Sequence, residues 1–271
     1  MKNTDTIHLC QPDSCKSCGA CCGLYNYRDS SRESLVKRLR SRTAMFHEIV
    51  RGKKDLYAFS ERTKQREDQG KIYDVIYCCE FLGFLDPEEK RVGCLLHPLQ
   101  NGGIDLREAS FYGRELCSNH LCPSYHYLSH EEKRTLITIM NDWYLYGLCV
   151  TDIDLVKEYF RFLCDGIGDS MDRDTFCDGT LKETMLRFFS LKTSWPFRSP
   201  ESNRFGKYWF DGSQYMISHI DYEKLRCDRS RFDRIFLSLA SRFYNPDDLR
   251  AAEDIIQKNI DEFVSLYRKK Y

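Results

Sequence analysis

The chain has 271 residues, 42% of them hydrophobic and 14% aromatic, with 41 basic side chains balanced by 41 acidic ones. At roughly 150 residues per domain this suits one domain or two closely packed ones, with apolar material enough for a core, so disordered, collagen-like and low-complexity classes are excluded. Zero net charge removes the long-range attraction of a general nucleic-acid binder, and no run approaches the ~18 apolar residues of a membrane span.

Along the chain, residues 1–10 carry no apolar stretch ahead of a small-residue cleavage site, so export is not expected and a cytoplasmic location is. A dense cysteine segment follows at residues 14–23. The Ser30-Ser-Arg-Glu33 capping box predicts a helix carrying Leu35, Leu39, Met45, Phe46 and Val50. The polar run Glu61 to Gly70 reads as a solvated helix end or loop, Val75 to Phe84 as a short strand or buried turn, and Asn101-Gly-Gly103 as a turn. Ser129-His-Glu-Glu132 is a second capping box, ahead of one apolar face formed by Leu136, Ile137, Met140, Trp143 and Tyr144. Helices are predicted at Thr151 to Phe162, from Thr180-Leu-Lys-Glu183 through Leu191, and at about Ser230 to Phe243. The stretch with Trp195, Pro196, Pro200 and Gly206 is expected to be irregular. Asn245-Pro246 then opens a last helix whose Leu249, Ala252, Ile256, Ile260, Phe263 and Tyr267 form one buried stripe. The expected class is α+β, predominantly α-helical: a loop-rich, cysteine-clustered metal module at residues 1–128, and a helical module at 129–271 packed against it.

Fourteen cysteines in a chain of this size, without an export signal, read as metal ligands, catalytic thiols or small buried hydrophobes before they read as disulfides. Ten of them fall by residue 122: Cys10, Cys15, Cys18, Cys21, Cys22, Cys78, Cys79, Cys94, Cys117 and Cys122. The segment Ser14-Cys-Lys-Ser-Cys-Gly-Ala-Cys-Cys-Gly23 has the chemistry of metal knuckles, since thiolates two residues apart in a tight turn converge on one centre and the following Gly19 and Gly23 let backbone amides approach the sulfurs. Without a cation, four ionised thiolates this close would repel one another. Cys15-x2-Cys18-x2-Cys21 matches the three-ligand run of bacterial [4Fe–4S] sites, and Cys122-Pro123 supplies a Cys-Pro ligand; Cys10-x4-Cys15-x2-Cys18 also fits a plant-type [2Fe–2S] pattern locally. Zinc is the alternative, with Cys117 and Cys122 as the distant pair. Adjacent Cys21 and Cys22 point in different directions, which lets them serve two centres, and eight or more cysteines supply two four-thiolate sites or one with spare ligands.

On Cys15-x2-Cys18-Gly-x-Cys21-Cys22, Cys79-Glu-Phe-Leu82, Gly93-Cys94-Leu-Leu-His97-Pro98, Cys117 and Cys122, the chain resembles the YkgJ-like family of cysteine-cluster proteins, a zinc- or iron-chelating domain. The resemblance covers residues 14–128 and implies metal binding through Cys15, Cys18, Cys21, Cys22, Cys79, Cys94, Cys117 and Cys122, with no reaction implied. His97-Pro98 replaces the family's Arg-Pro step, the insert Leu99 to Leu116 delays Cys117, and the helical half matches nothing in the family.

Three functions follow. The first is a [4Fe–4S] protein in electron transfer, or in a maturation or modification role, with a redox or protein partner. The second is a zinc-stabilised interaction module, and the third a modifying enzyme with its pocket in the helical half. His97 reads first as a turn histidine and His120 gains only from its position between Cys117 and Cys122. Cys78 reads as a buried neighbour of Cys79. Cys149, Cys164, Cys177 and Cys227 read as core residues, and the Trp143, Tyr144, Tyr146 stripe as packing. No GxGxxG, P-loop, HExxH or GxSxG element gives nucleotide or hydrolytic chemistry an anchor.

Overall fold

Ser31, one residue into the first capping box, caps helix α1 (Arg32–Ile49) by accepting from the Ser34 amide, and the helix buries Leu35, Leu39, Met45 and Phe46. The structure, a computed structural model, describes residues 7–67, 70–169, 171, 178–201, 208–211 and 214–270. It is 55% helical with minor sheet, the predominantly helical α+β class expected. Helix α2 (Leu56–Arg66) extends the helical content of the first half beyond the single helix predicted there; its buried face of Leu56, Phe59, Ser60 and Thr63 begins ahead of the polar run that reads as solvated. Strands β1 (Leu82–Phe84) and β2 (Val92–Cys94) pair antiparallel, Leu82 opposite Cys94. Short helices α3 (Gly113–Asn119) and α4 (Ser124–Tyr127) follow.

The capping box at Ser129 is complete: its side chain accepts from the Glu132 amide while Glu132 reaches back to the Ser129 amide, starting α5 (His130–Ile139). The apolar face predicted to run on to Tyr144 is broken. Helix α5 ends at Met140, and α6 (Trp143–Val150) restarts with Asp142 accepting from the Leu145 amide. Helices α7 (Ile153–Ile167) and α8 (Gly179–Ser194) are capped by Asp152 and Asp178, which take the first-turn amides of Leu155 and Leu181. The stretch expected to be irregular contains a hairpin, β3 (Tyr208–Asp211) against β4 (Gln214–Ile217), followed by α9 (Tyr222–Leu225). The helix expected over Ser230 to Phe243 shrinks to α10 (Asp233–Ser238), ended by turns at Leu239 and Ala240. Helix α11 (Pro246–Arg268) matches its prediction residue by residue: Asn245 caps, Pro246 starts, and all six stripe residues are buried. Burying each of its larger aliphatic or aromatic members stabilises by about 1.5–3 kcal/mol.

The chain forms two compact units. A cysteine unit comprises His8–Tyr125 with Asp142–Gly147, and a helical unit comprises His126–Asn141 with Leu148–Tyr271. In the cysteine unit Met45, Phe46, Leu56, Phe59, Phe81, Leu95, Leu96 and Leu106 form an apolar cluster that includes Cys79, with the Phe59 and Phe81 rings stacked at 5.4 Å. Tyr25 donates to Tyr144 O at 3.0 Å, Tyr144 to Ser30 O at 2.7 Å and Tyr146 to Leu9 O at 2.8 Å, joining 142–147 to this unit. In the helical unit, fully buried Lys192 pairs with Asp152 at 2.6 Å and donates to Ser238 O at 2.8 Å. There Cys149 is buried with its sulfur on Phe189 O, whereas Cys164 and Cys227 are half-buried; Cys177 lies outside the described residues. Among the described residues no helix is long and apolar enough to cross a membrane.

Candidate metal centre

The loop from Cys10 to Cys22 has little regular structure, so its shape comes from polar ties. The Cys18 amide donates to Cys10 O at 2.9 Å, closing a loop that brings these cysteines side by side. Tyr125 holds the other face of Cys10: its hydroxyl accepts from the Leu9 amide at 2.8 Å and lies 3.9 Å from the Cys10 sulfur. Ser17 Oγ accepts from the Val92 amide at 2.6 Å and Gln11 Nε2 donates to Val92 O at 2.9 Å, fastening the loop to β2. Asp13 accepts from the amides of Cys15 and Lys16 in an Asx turn.

A second set of ties brings distant cysteines to Cys22. The Cys79 amide donates to Cys22 O at 2.9 Å. Gly23 makes the close approach possible: at φ +77° it lies against the Tyr77 carbonyl, where an added Cβ would be 2.1 Å from the oxygen. Asn26 fixes the incoming segment, donating to Tyr73 O and Ile76 O at 2.9 Å and accepting from the Tyr73 amide at 3.0 Å. Buried Arg42 donates to Cys79 O at 2.8 Å and to the Tyr27 hydroxyl at 2.6 Å, and pairs with Glu67 at 2.6 Å. The β1–β2 register sets Cys94 beside this segment, with the Leu95 amide on Phe81 O at 2.8 Å. Cys117 sits on α3 with its sulfur 3.2 Å from Ser110 Oγ.

The electrostatics resolve two groups. Burial pushes the Cys18 thiol up to about 12, and the Cys10 and Cys122 sulfurs add to the rise. Cys21 is hydrogen-bonded to Cys122; that bond, then burial, then the Cys18, Cys122 and Cys10 sulfurs raise it, and the same bond lowers Cys122. Burial also raises Cys10, to which Cys122 contributes. In the second group burial drives Cys22 well above the ordinary thiol value, followed by Cys79, Cys94 and Cys117, with Cys18 a lesser influence. Burial takes Cys79 to about 12 and Cys94 to about 11; Cys94 acts on Cys79 and Cys117 on Cys94, while the Arg107 guanidinium opposes the rise at Cys94.

Four of these thiols are lowered by a backbone amide two residues further on: Cys18 by Ala20, Cys79 by Phe81, Cys94 by Leu96 and Cys122 by Ser124. An amide two residues past a cysteine, aimed at its sulfur, stabilises a thiolate and is the local form of a metal knuckle. The donor set therefore fits thiolate-ligated iron–sulfur or zinc chemistry. Among the described residues, no three Cys, His, Asp or Glu side chains are arranged to hold one metal ion, and the described cysteines are free thiols.

Of the eight cysteines that the motif marks, seven lie in these two groups. Cys15 does not: it is exposed, with its sulfur 3.9 Å from Ser14 Oγ, and it is not among the leading influences on any of the others. Cys10 joins them although the CxxCxxCC motif leaves it out; its one sequence signal is the Cys10-x4-Cys15 spacing. Cys78 takes the Asn26 side-chain amide at 3.6 Å and is not among the leading influences on the grouped thiols. His97 has the turn role, its Nδ1 accepting from the Leu99 amide at 3.2 Å, and His120 ends α3 as an exposed cap.

No family model, no curated protein and no solved structure matches this chain.

Proposed function

We propose that the cysteine unit holds an iron–sulfur cluster, [4Fe–4S], through clustered thiolates. The observation that carries this reading is the gathering of cysteines from five separated segments, residues 10, 18–22, 79, 94 and 117–122, anchored by the Cys18 N–H to Cys10 O and Cys79 N–H to Cys22 O bonds. Burial keeps Cys10, Cys18, Cys22, Cys79 and Cys94 as neutral thiols in the apo chain, and a bound cation takes the protons' place to make them thiolate ligands. The bound cluster supplies one-electron chemistry; the chain supplies ligands, amide donors and an apolar shell that includes Phe59 and Phe81. A thiolate cage of this kind suits electron transfer, or service to a maturation or modification reaction, with a redox partner in a reducing compartment such as the cytoplasm.

Iron and acid-labile sulfide content, with a visible spectrum, on protein purified without oxygen is the test. Iron with matching sulfide and broad visible absorption supports the cluster. Stoichiometric zinc without sulfide replaces it with a structural four-thiolate zinc module, and absence of any metal after reconstitution overturns both.

A further inference from the structure

Resting on that reading, we propose that the cysteine unit carries two separate four-thiolate centres, one held by Cys10, Cys18, Cys21 and Cys122 and the other by Cys22, Cys79, Cys94 and Cys117. The Cys21–Cys22 peptide bond joins the two.

Backbone ties and strand register anchor each group, and the mutual electrostatic effects of Cys21 with Cys122, and of Cys117 with Cys22 and Cys94, complete them. Cys10 and Cys18 are held together by the Cys18 N–H to Cys10 O bond, and the Cys21 and Cys122 thiols shift each other in opposite directions. Tyr125, three residues past Cys122, has its hydroxyl against Cys10, so the Cys122 turn and the Cys10 loop meet. On the other side Cys22 and Cys79 are joined by the Cys79 N–H to Cys22 O bond, and the hairpin register brings Cys94 opposite Leu82.

The 3₁₀ turn Ala20–Cys22 is the pivot. Neighbouring side chains diverge, which sets Cys21 and Cys22 toward different sites, and the left-handed Gly23 turns the chain toward Tyr77 and Cys78 immediately after Cys22. Four thiolates complete a [4Fe–4S] cluster or a tetrahedral zinc, so each group is self-sufficient. The three-plus-one division of a CxxCxx run between two centres is known chemistry for paired clusters. Here only the run's last cysteine, Cys22, feeds the second centre, and Cys10, held by Tyr125, takes the place the motif gives to Cys15.

The test uses the full chain, reconstituted anaerobically with iron and sulfide and, in parallel, titrated with cobalt(II), whose thiolate complexes are coloured. Cys21→Ser and Cys117→Ser remove one ligand from each group at exposed residues, which leaves the fold least disturbed. The expected result is two centres' worth of metal in the parent chain and half of it in either single variant. The double variant retains none. Cys10→Ser should behave as Cys21→Ser and Cys15→Ser as the parent, with ellipticity unchanged in all; if Cys10→Ser unfolds, Tyr125→Phe, with weakened loading of the first centre alone, takes its place. One centre's worth of metal in the parent, or complete loss in either single variant, overturns the division while leaving metal binding intact. Loss in Cys15→Ser equal to that in Cys10→Ser overturns the ligand assignment. A parent chain that takes up no metal at all sinks the underlying reading instead.

Discussion

Replacing Gly23 by Ala tests whether the close packing behind Cys22 has the energetic weight its geometry assigns. At φ +77° an L residue costs about 1–2 kcal/mol relative to glycine. The new Cβ would also stand 2.1 Å from Tyr77 O, 2.8 Å from Cys78 Cα and 2.9 Å from Tyr77 C, all backbone atoms. No rotamer change relieves such a contact, so the Tyr77–Cys78 segment must move away from Cys22, an overpacking cost of about 1–3 kcal/mol. The sum is about 2–5 kcal/mol. Gly102 is the control: at φ +58° with nothing within 4 Å of an added Cβ, Gly102→Ala carries the conformational cost alone, about 1–2 kcal/mol. With a urea slope of about 2 kcal/mol per M, a loss of about 3 kcal/mol moves the midpoint down by about 1.5 M. The Gly23 variant should show this shift and also lose metal from the Cys22 group, whereas the Gly102 variant should shift less and load normally. Equal shifts with full loading in both would refute the argument that Gly23 positions Cys22 against Cys79.

Arg42→Met removes the buried guanidinium that bonds Cys79 O and Tyr27 and pairs Glu67; because Arg38 still pairs with Glu67, the loss should fall at the low end of the about 3–5 kcal/mol range for a broken buried pair, read from denaturant unfolding. Lys192→Met leaves buried Asp152 without its cation and should cost about 3–5 kcal/mol in thermal unfolding; a change under about 0.5 kcal/mol, the size of an ordinary surface substitution, would show that Asp152 is satisfied by Ser238 and Leu155 alone. The hydrogen bonds from Arg107 hold the Asp105 carboxyl well below the usual carboxylate range. Its contribution is therefore present above the unfolded value of about 3.9 and lost as pH falls through the folded one, so Asp105→Asn should be less stable than the parent at about pH 6, with the gap closing in strong acid. A gap independent of pH would assign the effect to packing.

What can be read from the sequence follows the range of the forces involved. Helix α11 is legible in full because a proline at its start, an asparagine cap and a period-3.6 stripe are all local. The Ser129 box is equally local, but the apolar spacing beyond it runs straight through the break at Met140, since periodicity does not register the Asp142 cap that restarts the chain. The β3–β4 hairpin has a local signal too, an Asp-Gly dipeptide between the aromatic run Tyr208–Phe210 and the apolar run Tyr215–Ile217, which the surrounding prolines and glycines mask. At the candidate centre, spacing identifies the thiol-rich segment but not the direction of each sulfur. Cys10 is brought in by Tyr125, 115 residues away, and Cys15 is turned outward in a loop shaped by the Asp13 turn. Neither tie has a local pattern.

The membership of residues 142–147 in the cysteine unit has a consequence for how the protein is made. Every cysteine from Cys10 to Cys122 leaves the ribosome before Tyr144 and Tyr146, whose hydroxyls secure Ser30 and the Leu9 carbonyl beside Cys10. During synthesis the thiols are therefore exposed to oxidation, or to premature metal capture, until the chain has grown from Cys122 past Tyr146. Fragments cut at the apparent boundary near residue 125 would remain permanently in that unfinished state, so a recombinant cysteine unit has to extend through Gly147.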